Sequence, residues 1–509
     1  MSTMLRKLLL ASLALLSFAA SASATWSICV VNRRTGEVAV AGATCIANID
    51  LMSSIPVIRV GQGAGCIQSA GWEPGLVLIY DLLGAGATPT EILSAIRQAT
   101  NEGNLQIGIA GMIGDPVAFS GGAVGRAKGS RVGTFGDYSY AISGNVLTGS
   151  PVWIDCRDAL VGTPGDMAEK VMAAMEAAYL AGGDGRCSCD DFRPTSCGSP
   201  PPNFTKSAHC GFMIVSRIGD TDPPCLIGSD CARPGSYYLK INIRDGNAAM
   251  NDPDPVLQIR DRYDAWRANR VGLPDAVLST VSSVQSLPAD GLTQRTVRVR
   301  LRDIDGTDLS AGGDDVQVAT LDGAPSAVGV SAVTDHGDGT YSFTLTAGTT
   351  PGTDELVITA QADNRRVTLY PYLEVRSDPV QPLHAGFETV RVMDGADVPF
   401  VLNLPGNAGD SYLVLASLSG TTPGTTVGGV VVPLNTDNMT WATLLRAGDP
   451  RTLPGSVGSL DGSGRAEMGF TLGPNQLLYL SGLHVDWAGL VFGSAASVAT
   501  NAVGFDILP

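Results

Sequence analysis

The chain has 509 residues, 62 glycines, 30 prolines and a formal net charge of −16. The length exceeds one ordinary domain and points to about three. The acidic balance argues against nucleic acid or an anionic membrane surface as a partner. After the N-terminal apolar run no stretch is long and apolar enough to span a bilayer.

The chain opens with Arg6 and Lys7, a short apolar run over residues 8–18, and small residues at Ala22 and Ala24. This is the pattern of a secretory signal peptide, predicted over residues 1–24. Cutting after Ala24 leaves Thr25 first; cutting after Ala22 leaves Ser23 first. An N-terminal threonine carries a hydroxyl nucleophile and an amine able to act as its base, with a reference pKa of about 8.

From there the elements follow in order. Residues 26–31 read as a strand, residues 32–36 as a turn and residues 37–44 as the returning strand. An apolar stretch over 57–67 is broken by Gly61, Gly63 and Gly65. A helix follows Pro74. A second is marked by Thr88, Pro89 and Glu91, which together make a capping box with proline at the first helical position. Residues 105–112 and 116–120 form a hairpin, and 138–142 another strand. Residues 166–181 are helical, with Met167, Val171, Met175 and Ala178 on one face and Gly182-Gly183 as the stop. Strands over 211–218 and 237–244 precede a helix opening at Asp254-Pro255. Sheet and helix do not alternate strictly, which favours an α+β layered domain over a doubly wound parallel sheet.

All ten cysteines lie between Cys29 and Cys231. Export makes disulfides the first reading. Cys187, Cys189, Cys197 and Cys210 bracket a Pro/Ser-rich insertion, and Cys225 and Cys231 a shorter loop. Zinc is the rival, though no C-x-x-C pair occurs. The pairing stays open.

From about residue 277 the pattern becomes all-β. Residues 297–301 alternate, and short strands follow at 316–320, 341–346 and 355–362, as in a β-sandwich. Residues 378–382 read as a linker. Short strands at 412–417 and 428–433 open a second all-β module. Asp303, Asp305 and Asp308 hint at calcium, but no downstream glutamate completes an EF-hand loop, and a hairpin turn explains them better.

Several short motifs of the first domain occur together and in order. They are Thr25-Trp26-Ser27, Gly36-Glu37, Gly63-x-Gly65 with Gln68, Gln106-x-Gly108, Gly144-Asn145-x-Leu147, Gly182-Gly183-Asp184 with Arg186, and Pro253-Asp254-Pro255-Val256. In them the segment from Thr25 to about Arg270 resembles the family called domain of unknown function 1028, grouped with the N-terminal-nucleophile hydrolases. The resemblance implies an αββα layered sandwich and a threonine nucleophile at Thr25. It departs at Ile67-Gln68, where the family has Thr-Gln, at Lys206-Ser207-Ala208, where it has Gln-Ser-Ala, and in the cysteine-rich insertion. The second domain resembles invasin-type immunoglobulin-like modules through Ala289-Asp290-Gly291 and Gly337-Asp338-Gly339-Thr340-Tyr341. The third resembles C-terminal β modules of secreted bacterial proteins through residues 411–416 and 418–421.

The chemistry implied is attack of the Thr25 hydroxyl on an amide carbonyl, with its own amine relaying the proton. Asn145 is the candidate oxyanion donor, against a turn-forming role. Gln68 and Gln106 are candidate pocket-wall amides, against solvated strand ends. Asp184 and Arg186 are candidates to orient the amine or bind a carboxylate, against a structural ion pair at a helix end. Ser27 and Thr44 are candidate supporting hydroxyls, against plain strand residues. A Ser-His-Asp site or histidine metal centre is disfavoured, since of four histidines only His209 falls in the first domain.

The sequence therefore predicts a signal peptide at 1–24 and a hydrolase-like domain at 25–272 with an insertion at 187–205. An immunoglobulin-like β-sandwich at 277–376 and a C-terminal β-sandwich at 383–509 follow. The expected activity is amide hydrolysis on a small molecule or peptide, with no cofactor and no metal. The competing class is a catalytically inactive surface or extracellular binding protein whose β domains contact a cell surface or polymer. Either way the protein is expected to be secreted or surface-held, without nucleic acid and without a membrane span after cleavage.

Overall fold

Trp26, Ile28 and Val30 alternate along the first strand with Cys29 and Val31, and the two sets are buried in different cores. A strand buried on both faces needs a layer on each side. The structure, a computed structural model, describes residues 25–244, 252–321, 327–362, 365–393, 395–476, 478–493 and 496–509. The signal peptide expected at residues 1–24 lies outside the described residues. The chain divides into two units at Val271 and Gly272.

In the first unit the strands are β1 (Thr25–Asn32), β2 (Val38–Thr44), β3 (Pro56–Arg59), β4 (Gly63–Ser69) and β5 (Leu105–Gly111). They continue with β6 (Val117–Ser120), β7 (Gly129–Phe135), β8 (Tyr138–Asn145), β9 (Cys210–Ser216) and β10 (Leu239–Ile243). The helices are α1 (Leu51–Ser54), α2 (Glu73–Gly84), α3 (Pro89–Ala99), α4 (Pro151–Gly162), α5 (Met167–Leu180), α6 (Gly185–Ser188) and α7 (Pro255–Ala268). One antiparallel sheet runs β10-β9-β2-β1-β8-β7 and a second runs β3-β4-β5-β6. This is an α/β domain with antiparallel sheets, not a parallel doubly wound one.

Three apolar clusters hold these elements together. Trp26, Ile28 and Ile142 pack with Val152, Val171, Met175 and Ile259 from α4, α5 and α7. On the other face of the same sheet, Cys29, Val40 and Phe212 meet Ala64, Cys66 and Ala110 of the second sheet. Ile67, Ile107 and Ile109 of that second sheet turn away, toward Ile79 of α2 and Ile92 of α3. The capping box at Thr88 and Glu91 forms as expected.

The sequence reading missed β7 and α4. β7 is an edge strand rich in Gly, Ser and Arg, with three exposed positions, so its alternation is faint. Its Gly129 allows α4 to come close, since a Cβ there would lie 2.3 Å from the Trp153 ring. Ser150-Pro151 and the buried Val152, Cys156 and Leu160, four residues apart, were the available signal for α4.

The cysteine bracket needs one correction. The disulfides are Cys45–Cys187, Cys189–Cys197 and Cys225–Cys231. Cys210 takes part in no disulfide; it is buried on β9, turned into the inter-sheet core. Its strand position decides this, because β9 pairs with β2 there and points it inward.

The second unit is all-β. Strands Gln294–Arg300 and Thr340–Thr346 form one sheet of its first part, and Gly352–Ala362 and Leu373–Asp378 lie in another. Val297, Val299, Phe343, Leu356 and Ile358 pack between them, while Arg298 points out. Asp303 accepts from the N–H groups of Asp305 and Thr307, each at 3.0 Å, so its carboxylate closes a hairpin turn. The following part stacks a three-stranded sheet on a larger one around Phe400, Phe470, Trp487 and Phe505. Residues 428–433 do not make one strand. Gly428 and Gly429, at φ of 58° and 86°, turn the chain between Thr425–Val427 and Val430–Val432.

Candidate functional site

Thr25 is the first residue of β1, and the register pairs it with Asn145 at the end of β8. On the facing sheet Gln68 of β4 pairs with Gln106 of β5. The period of two aims all four side chains into the space between the sheets, at one end of the apolar layer. There they form a chain of amides. Gln68 Nε2 donates to the Thr25 carbonyl at 3.1 Å and to Gln106 Oε1 at 2.7 Å. Asn145 Nδ2 donates to the same Gln106 oxygen at 2.9 Å. Gln106 Nε2 in turn donates to Ser120 Oγ at 2.8 Å and to the Gly144 carbonyl at 2.9 Å.

The Thr25 hydroxyl donates to Thr44 Oγ1 at 3.3 Å, and that oxygen also accepts from Ile46 N at 3.3 Å. Thr25 is only 1% exposed, and Ser27, Thr44, Gln68, Gln106 and Asn145 are buried with it. Among the described residues, Gln68 Oε1 and Asn145 Oδ1 are buried acceptors with no hydrogen-bond partner. A buried amide oxygen left so costs about 1–3 kcal/mol, and such groups in native proteins call for an explanation.

Asp184 and Arg186 belong to the neighbouring turn. Gly182 and Gly183, at φ of 100° and 55°, stop α5 and turn the chain back. A Cβ on Gly183 would lie 2.8 Å from Ser207 Cβ, so the close approach requires glycine. Asp184 caps α6, accepts from Cys45 N at 2.8 Å and pairs with Arg186 at 2.8 Å. The Cys45–Cys187 disulfide fastens the same place, next to Thr44. Asp184 thus ties the end of β2, which carries Thr44, to this turn. Asp254 does similar work nearby: it caps α7 and accepts from Ser207 N and Oγ. Burial pushes its carboxyl up while those N–H groups oppose the shift.

The sulfurs of Cys45 and Cys187 and a ring nitrogen of His209 lie within 4.8 Å of one another. The disulfide leaves neither cysteine a thiolate to offer a metal. A Ser-His-Asp trio assembles in the second unit, which sequence reasoning did not find. Ser286 Oγ lies 3.2 Å from His384 Nε2 and donates to Asp378 at 2.5 Å. The serine proton goes to the carboxylate and not to the imidazole, and Ser286 is 2% exposed. It is a buried tie and not a catalytic triad.

The C-terminal part also carries an apolar cavity of about 400 Å³, lined by Leu413, Leu415, Leu434, Trp441, Leu490 and Phe492 among others. Among the described residues no charged side chain lines it, and Thr425, Thr436 and Thr440 are its polar members.

Comparison with known proteins follows the same division. Residues 25–189 match a family of unknown function, DUF1028. Residues 275–371 match invasin, domain 3. The DUF1028 match therefore covers Thr25, Gln68, Gln106 and Asn145, together with Asp184 and Arg186. Among solved structures, a DUF1028 protein of Silicibacter pomeroyi is similar at 19% identity and a TM-score of 0.34, over 48% of this chain and 89% of that one. The Escherichia coli adhesin FdeC is similar at 12% identity and a TM-score of 0.19, over 80% and 92%. Domains 5–6 of the S-layer protein SbsC are similar at 13% identity and a TM-score of 0.18, over 45% of this chain and 95% of that one. No protein of curated function matches the chain. 

Proposed function

We propose that this is an extracellular or cell-surface binding protein, in which an invasin-type β module and a C-terminal β module follow a DUF1028 domain. The observation that carries the reading is the match of residues 275–371 to invasin domain 3. Three disulfides support an oxidising compartment. The modules are taken as 25–272, 277–376 and 383–509, after a signal peptide at 1–24. The test is fractionation of cells making the full chain. It is expected in the medium or open to protease on intact cells, and the purified chain is expected to bind whole cells saturably. A full-length chain confined to the cytoplasm with reduced cysteines overturns the reading.

A second reading, an amide hydrolase with Thr25 as N-terminal nucleophile, is favoured by the amide chain around Thr25 and its two unpartnered oxygens. Helices outside two stacked sheets support the αββα layering of such enzymes. In this reading the freed Thr25 amine takes the hydroxyl proton, and the unpartnered amide oxygens are acceptors for that amine or for a substrate N–H. Asn145 uses one amide hydrogen on Gln106 and would turn the other toward an oxyanion. N-terminal sequencing of the exported chain, then Thr25→Ala against amide probes, tests it. A mature chain starting at Thr25 whose hydrolysis disappears in the variant supports it; a chain starting elsewhere sinks it.

A further inference from the structure

Four residues beyond Thr25 on β1 stands Cys29, and two residues before Gln68 on β4 stands Cys66. Both are free and buried in the layer between the sheets. Their sulfurs lie 3.7 Å apart, and Cys29 Sγ is also 3.7 Å from the Gly108 carbonyl.

Stacked sheets usually stand about 10 Å apart, too far for a disulfide, whose Cα atoms are about 4.4–6.8 Å apart. This place is narrower, and the register says why. Cys29 pairs across its sheet with Ala141, and Cys66 across the other with Gly108. A Cβ built on Gly108 would lie 3.6 Å from the Ala141 Cβ. On the side of β8 and β5 the neighbours of the two cysteines are therefore the smallest side chains available, and there they let the sheets close on each other.

We propose that Cys29 and Cys66 form a fourth disulfide, joining the two sheets of the DUF1028 domain beneath the Thr25 cluster. Two S–H bonds break and one S–S bond forms. Two electrons and two protons pass to the disulfide of an oxidised dithiol catalyst or of glutathione, which is reduced to two thiols. The bond forms before the sheets close. In the folded chain the Cys66 contact, with burial, holds the Cys29 thiol well above its ordinary range, so little thiolate is present. Once made, the link fixes β1 against β4 and keeps the Thr25 carbonyl over the Gln68 amide.

The proposal leans on the oxidising compartment inferred above, so the test supplies the oxidant directly. The full chain is refolded in a glutathione redox buffer, denatured, alkylated and mapped by mass spectrometry. Labelling is expected at Cys156 and Cys210 alone, with a cross-linked peptide joining Cys29 to Cys66. Labelling of Cys29 and Cys66 in chains that hold Cys45–Cys187, Cys189–Cys197 and Cys225–Cys231 overturns it. A Cys156→Ala/Cys210→Ala chain gives a second readout: no label is expected, and label at Cys29 and Cys66 again overturns it. Neither result depends on where the cell sends the protein, so failure here leaves the extracellular reading to its own test.

Discussion

Both units stack largely antiparallel sheets face to face, yet they fill the space between differently. In the invasin-type module the layer is Val297, Val299, Phe343, Leu356 and Ile358. In the DUF1028 domain the apolar layer gives way at one end to Thr25, Gln68, Gln106 and Asn145, all buried. An apolar layer needs only volume and shape. A buried amide chain needs every partner, and each missing one costs as much as a bond is worth or more. The first kind of core explains stability by itself; the second asks for a further reason to exist.

The comparison can be strained from both sides. The largest effect is expected from Phe343→Ala, which leaves a cavity in the apolar layer and should cost about 4 kcal/mol in urea unfolding. Next is Gln106→Leu, which strips partners from Gln68, Asn145 and Ser120 and should cost about 3 kcal/mol. A neutral result there would break the comparison, since the amides would then be replaceable packing.

The smallest effect belongs to a carboxylate at the edge of a β module. Asp437 caps the helix Asn438–Leu445 and accepts from Thr440 N at 3.0 Å and Leu418 N at 2.7 Å. Burial alone would raise its pKa, but those N–H groups hold it down to about 2. The folded carboxyl thus titrates below its unfolded value of about 4. Its contribution is complete above pH about 4 and is lost as pH falls through about 2. Asp437→Ala should cost about 1 kcal/mol at neutral pH, and the gap between variant and parent should close in acid.

Much of this was legible in the chain. The capping box at Thr88, the stop at Gly182-Gly183 and the alternation in residues 297–301 rest on local rules, so the sequence alone determined them. So did the order of an α/β segment before β modules, because periodicity and turn residues are local too. The residues of the Thr25 cluster could be nominated from motifs, but not assembled. Tertiary structure alone decided that the Thr25–Asn145 pair of one sheet faces the Gln68–Gln106 pair of the other. It also decided that Cys45 reaches Cys187 and that Cys210 turns inward. The physical reason is shared. Which strands become neighbours, and which sheet face meets which, depends on how the whole domain buries its apolar surface, and no window of sequence contains that balance.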